Sequence, residues 1–139
     1  AAKFLINDAC SLGNKPYSQG GILQFDGQTI TVWPRESACY RCIFPEPPPK
    51  DAIPTCSQAG VIGVLPGVLG TIQATEAIKF LLGKGELLTN RLLTYNALRM
   101  RFREVPLKRS AKCPVCGDQP TVTELRDELD AMTVCDLEH

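Results

Sequence analysis

The chain has 139 residues, of which 44% are hydrophobic, so it is long enough to form one compact domain with a buried core. Fifteen Lys and Arg residues balance fifteen Asp and Glu residues, which argues against the broad basic surface that attracts nucleic acids and anionic membranes. We therefore expect neither a nucleic-acid partner nor a membrane partner.

The distribution of apolar residues along the chain predicts where in the cell the protein is found. The first residues lack the charged and apolar pattern of a secretory signal. The longest apolar run, residues 61–72, is interrupted by glycines and Pro66 and is shorter than the roughly 18 residues that suggest a membrane span. These features predict a soluble, cytoplasmic protein.

The two ends of the chain suggest that it is a fragment of a longer protein. The chain opens with Ala1 inside a helical pattern, from which we expect that an N-terminal portion is missing. Residues 137–139 resemble the remnant of an affinity tag. We predict a domain over residues 1–125, a tail over 126–136 and the tag remnant over 137–139.

The first predicted elements are a helix and a hairpin. Residues 1–12 carry apolar side chains at helical spacing, and Gly13 stands where a C-cap belongs. Residues 20–33 alternate as strands do, with Asp26-Gly27 as the turn signal. A proline-rich stretch then excludes helix and favours an extended segment, with prolines at 45, 47, 48, 49 and 54.

The longest predicted helix runs from Val64 to Leu82, and Gly83 ends it. Its first half is apolar on nearly every side, which predicts a buried helix. Gly67 and Gly70 suggest that another element approaches it closely.

Residues 91–105 predict a second strand pair around Asn96, followed later by a short charged helix over residues 124–131. Three apolar residues alternate with three arginines here: Leu98, Met100 and Phe102 with Arg99, Arg101 and Arg103. A solvated basic face and a docking site for an acidic partner both fit this pattern.

Seven cysteines is a high and odd number, and four of them form two Cys-x-x-Cys pairs. Such turns place two thiolates on one side of a zinc ion, and two turns complete a tetrahedral site. The pairs are Cys39 with Cys42 and Cys113 with Cys116, with 70 residues between Cys42 and Cys113. We predict one structural zinc ion that joins distant segments; a pair of redox dithiols and a coincidence of spacing are the alternatives.

Cys56 lies between the proline-rich stretch and the long helix. A thiol near a helix N-terminus has its thiolate favoured by the helix dipole, so Cys56 is the candidate reactive cysteine. An incidental or structural cysteine fits the sequence equally well, because the native chain supplies no histidine base.

Six segments resemble the MoeB/ThiF family of adenylyltransferases, which are related to ubiquitin-activating enzymes. They are LINDAC at 5–10, GGILQFDGQ at 20–28, CYRCIFPEPPP at 39–49, AGVIGVLPG at 59–67, QATEAIK at 73–79 and CPVCG at 113–117. The resemblance implies the C-terminal half of a Rossmann-like α/β fold, with a mixed sheet containing antiparallel hairpins, a long buried helix and a four-cysteine zinc site.

The resemblance also implies a function. Such enzymes use ATP and Mg²⁺ to adenylate the C-terminal glycine of a ubiquitin-like sulfur carrier in molybdopterin or thiamine biosynthesis or related sulfur transfer, and the full-length enzyme is expected to be a homodimer. The proline-rich stretch would cross over the carrier's tail, and the sheet carrying Leu98, Met100 and Phe102 would receive the carrier. Cys56 would be the cysteine that attacks the activated glycine in some members.

One departure from the family is large. Its nucleotide-binding turn, phosphate-contacting Arg and Lys and magnesium-binding Asp belong upstream of residue 1, so ATP and Mg²⁺ are expected only in the full-length enzyme. Here no Gly-x-Gly-x-x-Gly follows a strand, so the chain alone is expected to be inactive. The alternative function is a stand-alone zinc-stapled binding module without catalysis.

Overall fold

A computed structural model describes residues 2–48 and 59–125. In chain order the elements are α1 (Ala2–Leu12), β1 (Tyr17–Leu23), β2 (Asp26–Val32), α2 (Tyr40–Ile43), α3 (Leu65–Leu82), β3 (Arg91–Asn96) and β4 (Arg101–Pro106). The strands form one sheet in the order β1-β2-β3-β4, with each neighbouring pair antiparallel. The α/β class and both hairpins are therefore confirmed. Parallel pairing within the described ranges is confined to an isolated bridge between Gln24 and Val61.

The first hairpin turns two residues earlier than predicted. Leu23 pairs with Asp26, so the turn is Gln24-Phe25, and Asp26-Gly27 already belongs to β2. Gln24 has a φ of 52° and exchanges backbone hydrogen bonds with Gly60 and Ile62, at 3.0 Å each. Tertiary contacts thus stabilise a turn whose own residues give only a weak signal.

Gly27 does not form the hairpin turn but lies where the sheet packs closely against α3. A Cβ at this position would lie 2.6 Å from Cδ1 of Leu69, so the missing side chain lets α3 approach the sheet. Leu65, Leu69 and Tyr95 form a buried cluster at this contact. One face of the sheet therefore packs against α3.

The long helix has nearly the predicted bounds. Pro66 lies in its first turn, and Gly83 caps it in the left-handed region with a φ of 60°. Its burial differs from the prediction, because the sheet covers only one side of it. In the first half of the helix, for which burial was predicted, Leu65 is fully buried, whereas Pro66, Gly67 and Gly70 are exposed. A Cβ at Gly67 or Gly70 would meet no atom within 4 Å in the described structure, so these glycines do not admit a neighbour there.

A second cluster lies on the opposite face of the sheet. Ile30 and Val32 of β2 are buried there against the four paired cysteines and two residues near the chain's C-terminal end, Val115 and Val122. The sheet thus has α3 on one face and the cysteine-rich segments on the other.

Glu76 connects α3 to the sheet and was not singled out from the sequence. Its side chain is buried and accepts hydrogen bonds from the Thr31 hydroxyl at 2.7 Å, the Leu88 backbone N–H at 2.5 Å and the Lys79 ammonium. Burial alone would raise the pKa of this carboxyl, but the three hydrogen bonds outweigh it and hold the pKa below the ordinary 4.5. The charged form is therefore the stable one in the folded chain.

We expect Glu76→Gln to lower the free energy of unfolding at pH 7 by about 2 kcal/mol, because a hydrogen-bonded buried charge is replaced. A depressed folded-state pKa contributes stability above the unfolded pKa, and that contribution is lost as pH falls through the folded value. The difference between wild type and variant in urea unfolding should therefore shrink below pH 4.5. Glu86→Gln, at a side chain that is 91% exposed, is the control and should change little.

The predicted features at residues 49–58, including Cys56, Pro49 and Pro54, lie outside the described residues, as does the predicted helix beyond residue 125. Pro45, Pro47 and Pro48 lie outside helices and strands, as expected. No helix in the described ranges is long and apolar enough to cross a membrane.

Candidate metal centre

The first pair of cysteines is held by the short helix α2. Cys39 precedes α2 with an extended backbone, and Cys42 lies within it, so one turn brings both side chains to the same side. The Cys42 N–H donates to the Cys39 carbonyl at 3.0 Å and closes this turn. The Cys-x-x-Cys spacing therefore produces the local geometry that a metal ion requires.

The second pair, Cys113 and Cys116, lies in a tight loop after β4, which we call the knuckle. The Gly117 N–H donates to the Cys113 carbonyl at 3.0 Å. Arg109 binds the outside of the knuckle, since its Nε donates to the Cys116 carbonyl at 2.9 Å and its Nη2 to Asp118 Oδ1 at 2.8 Å. Backbone and side-chain hydrogen bonds thus fix the loop that carries the two thiols.

All four sulfur atoms meet in one cluster, as the sequence predicted. The Sγ atoms lie within 4.8 Å of one another. Cys39 and Cys42 are 4.0 Å apart, Cys39 and Cys113 3.5 Å, and Cys42 and Cys116 3.3 Å. A disulfide requires about 2.05 Å, so these cysteines are not bonded to one another. Tetrahedral ligation with metal–sulfur bonds of about 2.3 Å gives sulfur separations of about 3.8 Å, which these distances bracket.

The chemistry of the four sulfur atoms also favours a cation. The Ser110 N–H adds a hydrogen bond to Cys42 Sγ at 3.4 Å. Four thiolates at this spacing repel one another, and a divalent cation removes that repulsion. The residues therefore fit a metal ion held entirely by sulfur.

Gly117 is required by the close packing of the knuckle. A Cβ there would lie 2.4 Å from the Cys113 carbonyl oxygen and 2.6 Å from that of Ala111, and both are backbone atoms. We expect Gly117→Ala to displace the loop and to cost about 1 to 3 kcal/mol, the usual effect of overpacking. Its metal should also be transferred faster to a chromophoric chelator.

Gly70→Ala is the matched control for this substitution, because the exposed helical site has room for the methyl group. It should raise stability by about 0.5 to 1 kcal/mol, since glycine is a poor helix former. If Gly117→Ala has the same free energy of unfolding as the wild type and transfers metal at the same rate, the proposed packing requirement at Gly117 is wrong.

A buried polar network anchors the Cys39–Cys42 turn to α1, and no local sequence pattern predicts it. The guanidinium of Arg41, between Cys39 and Cys42, binds the carboxylate of Asp8 through Nε at 2.8 Å and Nη2 at 2.6 Å. Nη1 donates to the Pro45 carbonyl at 3.0 Å. One arginine thus joins α1, the turn that carries Cys39 and Cys42, and the start of the proline-rich stretch.

Asn7 completes this network. It is fully buried, and its Oδ1 accepts from the Tyr17 hydroxyl at 2.7 Å and from the Tyr40 N–H at 2.8 Å. Its Nδ2 donates to Asp8. Phe4 packs its ring over Arg41, with the guanidinium 5.0 Å from the ring centroid. The Asn7-Asp8 pair within the LINDAC segment therefore positions the turn that carries Cys39 and Cys42.

The predicted alternation of apolar residues and arginines crosses a turn. Leu98 and Met100 lie in the β3–β4 connection, 70% and 74% exposed, and Met100 has a φ of 48°. Phe102 lies in β4 and stacks on Tyr95 with ring centroids 4.4 Å apart. The three apolar side chains therefore do not share one strand face, although all of them are accessible.

Comparisons with known proteins agree with this architecture. The chain is 49% identical over 130 residues to a sulfur carrier protein adenylyltransferase of Thermus thermophilus, covering 90% of this chain and 48% of the relative. It is 48% identical over 116 residues to the SAMP-activating enzyme E1 of Haloferax volcanii, covering 84% and 43%. The adenylyltransferase and sulfurtransferase MOCS3 of Sus scrofa is 43% identical over 126 residues, covering 90% and 28%.

Solved structures share the fold. Escherichia coli MccB with MccA-N7isoASN superposes with a TM-score of 0.68 at 18% identity, covering 84% of this chain and 38% of that one. Its complex with ATP gives 0.62 at 18% identity, covering 80% and 35%. The chain spans less than half the length of each of these proteins. Residues 1–115 match the ThiF family, and with this extent of similarity the chain belongs to that family.

Proposed function

We propose that Cys39, Cys42, Cys113 and Cys116 bind one structural zinc ion. Zinc favours tetrahedral thiolate ligands, and a site with four of them leaves no open position for water or substrate. Cys39 and Cys113 are buried, whereas Cys42 and Cys116 are partly buried, as suits an ion that joins two segments. The zinc would thus hold α2 against the knuckle that follows β4.

We further propose that the chain is the zinc-binding and carrier-docking half of an enzyme that adenylates the C-terminal glycine of a ubiquitin-like sulfur carrier. The observation that carries this proposal is 49% identity to a sulfur carrier protein adenylyltransferase over 90% of the chain. Residues 1–125 would form this half, within a cytoplasmic enzyme that acts as a homodimer.

In the proposed reaction a carboxylate oxygen of the carrier's terminal glycine attacks the α-phosphorus of ATP. The bond from that phosphorus to the oxygen that bridges it to the β-phosphate breaks, pyrophosphate leaves, and the glycine remains joined to AMP as an acyl-adenylate. Mg²⁺, held by residues outside this chain, would neutralise charge on the phosphates. The one Gly-Gly pair of this chain does not supply the phosphate site, because Gly20 and Gly21 lie inside β1, against Gln73 and Lys3. A glycine-rich turn that feeds a helix N-terminus would have to come from elsewhere in the enzyme.

ATP–pyrophosphate exchange in the presence of a carrier ending in Gly-Gly tests the proposal. We expect exchange by the longer parent protein and none by the 139-residue chain. Exchange by this chain alone would show that the nucleotide site has been misplaced. A parent protein that binds the carrier without exchange would favour a stand-alone binding module.

Cys56 is proposed as the cysteine that accepts the activated glycine. Burial raises the pKa of the Cys10 thiol, which makes Cys10 a suitable slow-reacting reference. With zinc bound, a mild alkylating reagent should label Cys56 faster than Cys10, as peptide mass mapping can measure. Slow labelling of Cys56 in the parent enzyme as well would remove the assignment.

A further inference from the structure

The face of the sheet opposite α3 is covered only in part. Gly27, Tyr95 and Phe102 lie in register across β2, β3 and β4, and Gly27 and Tyr95 contact α3 or its cluster, so this row belongs to the α3 face. The neighbouring rows alternate to the other face. One of them consists of Gln28, Thr94 and Arg103, and the next of Asp26, Asn96 and Arg101.

The cysteine-rich segments cover one end of this second face. Ile30 and Val32 are at most 2% exposed there, whereas Arg101 and Arg103 at the other end are exposed. The open end is thus an accessible polar surface beside the proposed zinc site. We call the part formed by Asp26, Gln28, Thr94, Asn96, Arg101 and Arg103 the basic face. Its carboxylate, Asp26, accepts a hydrogen bond from Asn96 Nδ2 at 2.7 Å.

Although the charge of the whole chain is balanced, one segment carries a strong excess of positive charge. Residues 91–109 contain six Lys and Arg residues and one Glu, although the chain as a whole has a net charge of zero. Arg91 pairs with Glu104 at 3.0 Å and Arg109 with Asp118 at 2.8 Å. Across residues 2–48 and 59–125, the guanidinium groups of Arg101 and Arg103 have no carboxylate within salt-bridge distance.

We propose that Arg101 and Arg103 bind an acidic surface of the sulfur carrier, which makes them determinants of carrier choice. This inference rests on the proposed function. Unpaired arginines attract carboxylates over a long range and form bidentate hydrogen bonds on contact. Leu98 lies exposed in the adjoining turn and would add apolar contact beside the charged rim. Met100 is turned toward the α3 face, where its sulfur accepts a hydrogen bond from the Tyr95 hydroxyl at 3.0 Å.

A protein fits this surface better than a nucleic acid. Stacking of bases needs an aromatic platform, and Phe102 and Tyr95 lie on the α3 face of the sheet. Apart from the Asp26 carboxylate, which Asn96 already binds, the basic face offers amide, hydroxyl and guanidinium groups, which suit the carboxylates and backbone groups of a folded partner.

The test uses the zinc-loaded chain and the sulfur carrier protein of Thermus thermophilus as the probe. Dissociation constants are measured by calorimetry at low and high salt for wild type and for Arg101→Glu/Arg103→Glu. We expect the double reversal to weaken binding at low salt at least about tenfold and to reduce the dependence on salt. Lys15→Glu/Lys84→Glu, which makes the same charge change at two exposed lysines elsewhere, should leave binding near the wild-type value.

Zinc content and thermal unfolding check that each variant is folded, which exposed positions should permit. Unchanged binding by the arginine double reversal, with the wild type binding the carrier, would overturn this inference and leave the proposed function standing. Absence of carrier binding both by the wild type and by a chain lacking residues 126–139 would overturn both. Carrier binding that appears only after residues 126–139 are removed would assign the basic face to the chain's own acidic C-terminal segment. Preferential binding of single-stranded RNA would assign the face to nucleic acid. Either result would overturn the inference.

Discussion

Replacing Cys39 with serine is expected to abolish stoichiometric zinc binding and to remove most of the stability of the chain. Structural zinc contributes about 10 kcal/mol or more to the folding of small zinc domains at neutral pH. A typical domain is stable by only about 5 to 15 kcal/mol, so loss of the ion is comparable with the whole stability. Urea unfolding and elemental analysis of the purified variant measure the two effects.

Cys10→Ser is the control, because this cysteine lies on α1 and is not one of the four clustered thiols. It should retain one zinc ion and change the free energy of unfolding by about 1 kcal/mol or less. A Cys39→Ser variant as stable as Cys10→Ser would show that the cluster does not hold a structural ion.

The second large effect is expected at the buried ion pair of Asp8 and Arg41. The side chains are 7% and 5% exposed. Arg41→Met leaves a buried carboxylate and the Pro45 carbonyl without their donor, and breaking such a pair costs about 3 to 5 kcal/mol. The midpoint of urea unfolding at constant zinc concentration should fall accordingly.

Arg91→Met tests whether burial of the ion pair is the cause of the large effect expected for Arg41→Met. Arg91 pairs with Glu104, but the two side chains are 27% and 51% exposed. Exposed pairs contribute about 0 to 1 kcal/mol, so this variant should differ little from wild type. Equal effects of the two arginine substitutions would contradict the role assigned to the buried network.

The meeting of the four cysteines was predictable because their signal is local. Two thiols three residues apart form a half-site whatever the rest of the chain does, and the structure confirms that the half-sites Cys39–Cys42 and Cys113–Cys116 meet. The end of α3 was also predictable, since Gly83 adopts the left-handed conformation that other residues rarely take.

Features that depend on distant contacts were not predictable in the same way. Asp8 and Arg41 are 33 residues apart, and neither carries a local sign of its partner. The Asp26-Gly27 signal was wrong because Gly27 accommodates Leu69, a contact set by the tertiary fold. Residues 98–102 alternate as a strand does, yet a turn interrupts the pattern, which periodicity alone does not distinguish.

Native mass spectrometry of the purified chain tests the central claim most directly. The four thiols lie within 4.8 Å of one another, and we propose that they hold a single zinc ion. We therefore expect a folded species whose mass exceeds that of the chain by one zinc ion, less the protons that the ligands lose on binding. A folded metal-free chain, or one whose mass is reduced by the hydrogens lost in two disulfides, would contradict the account.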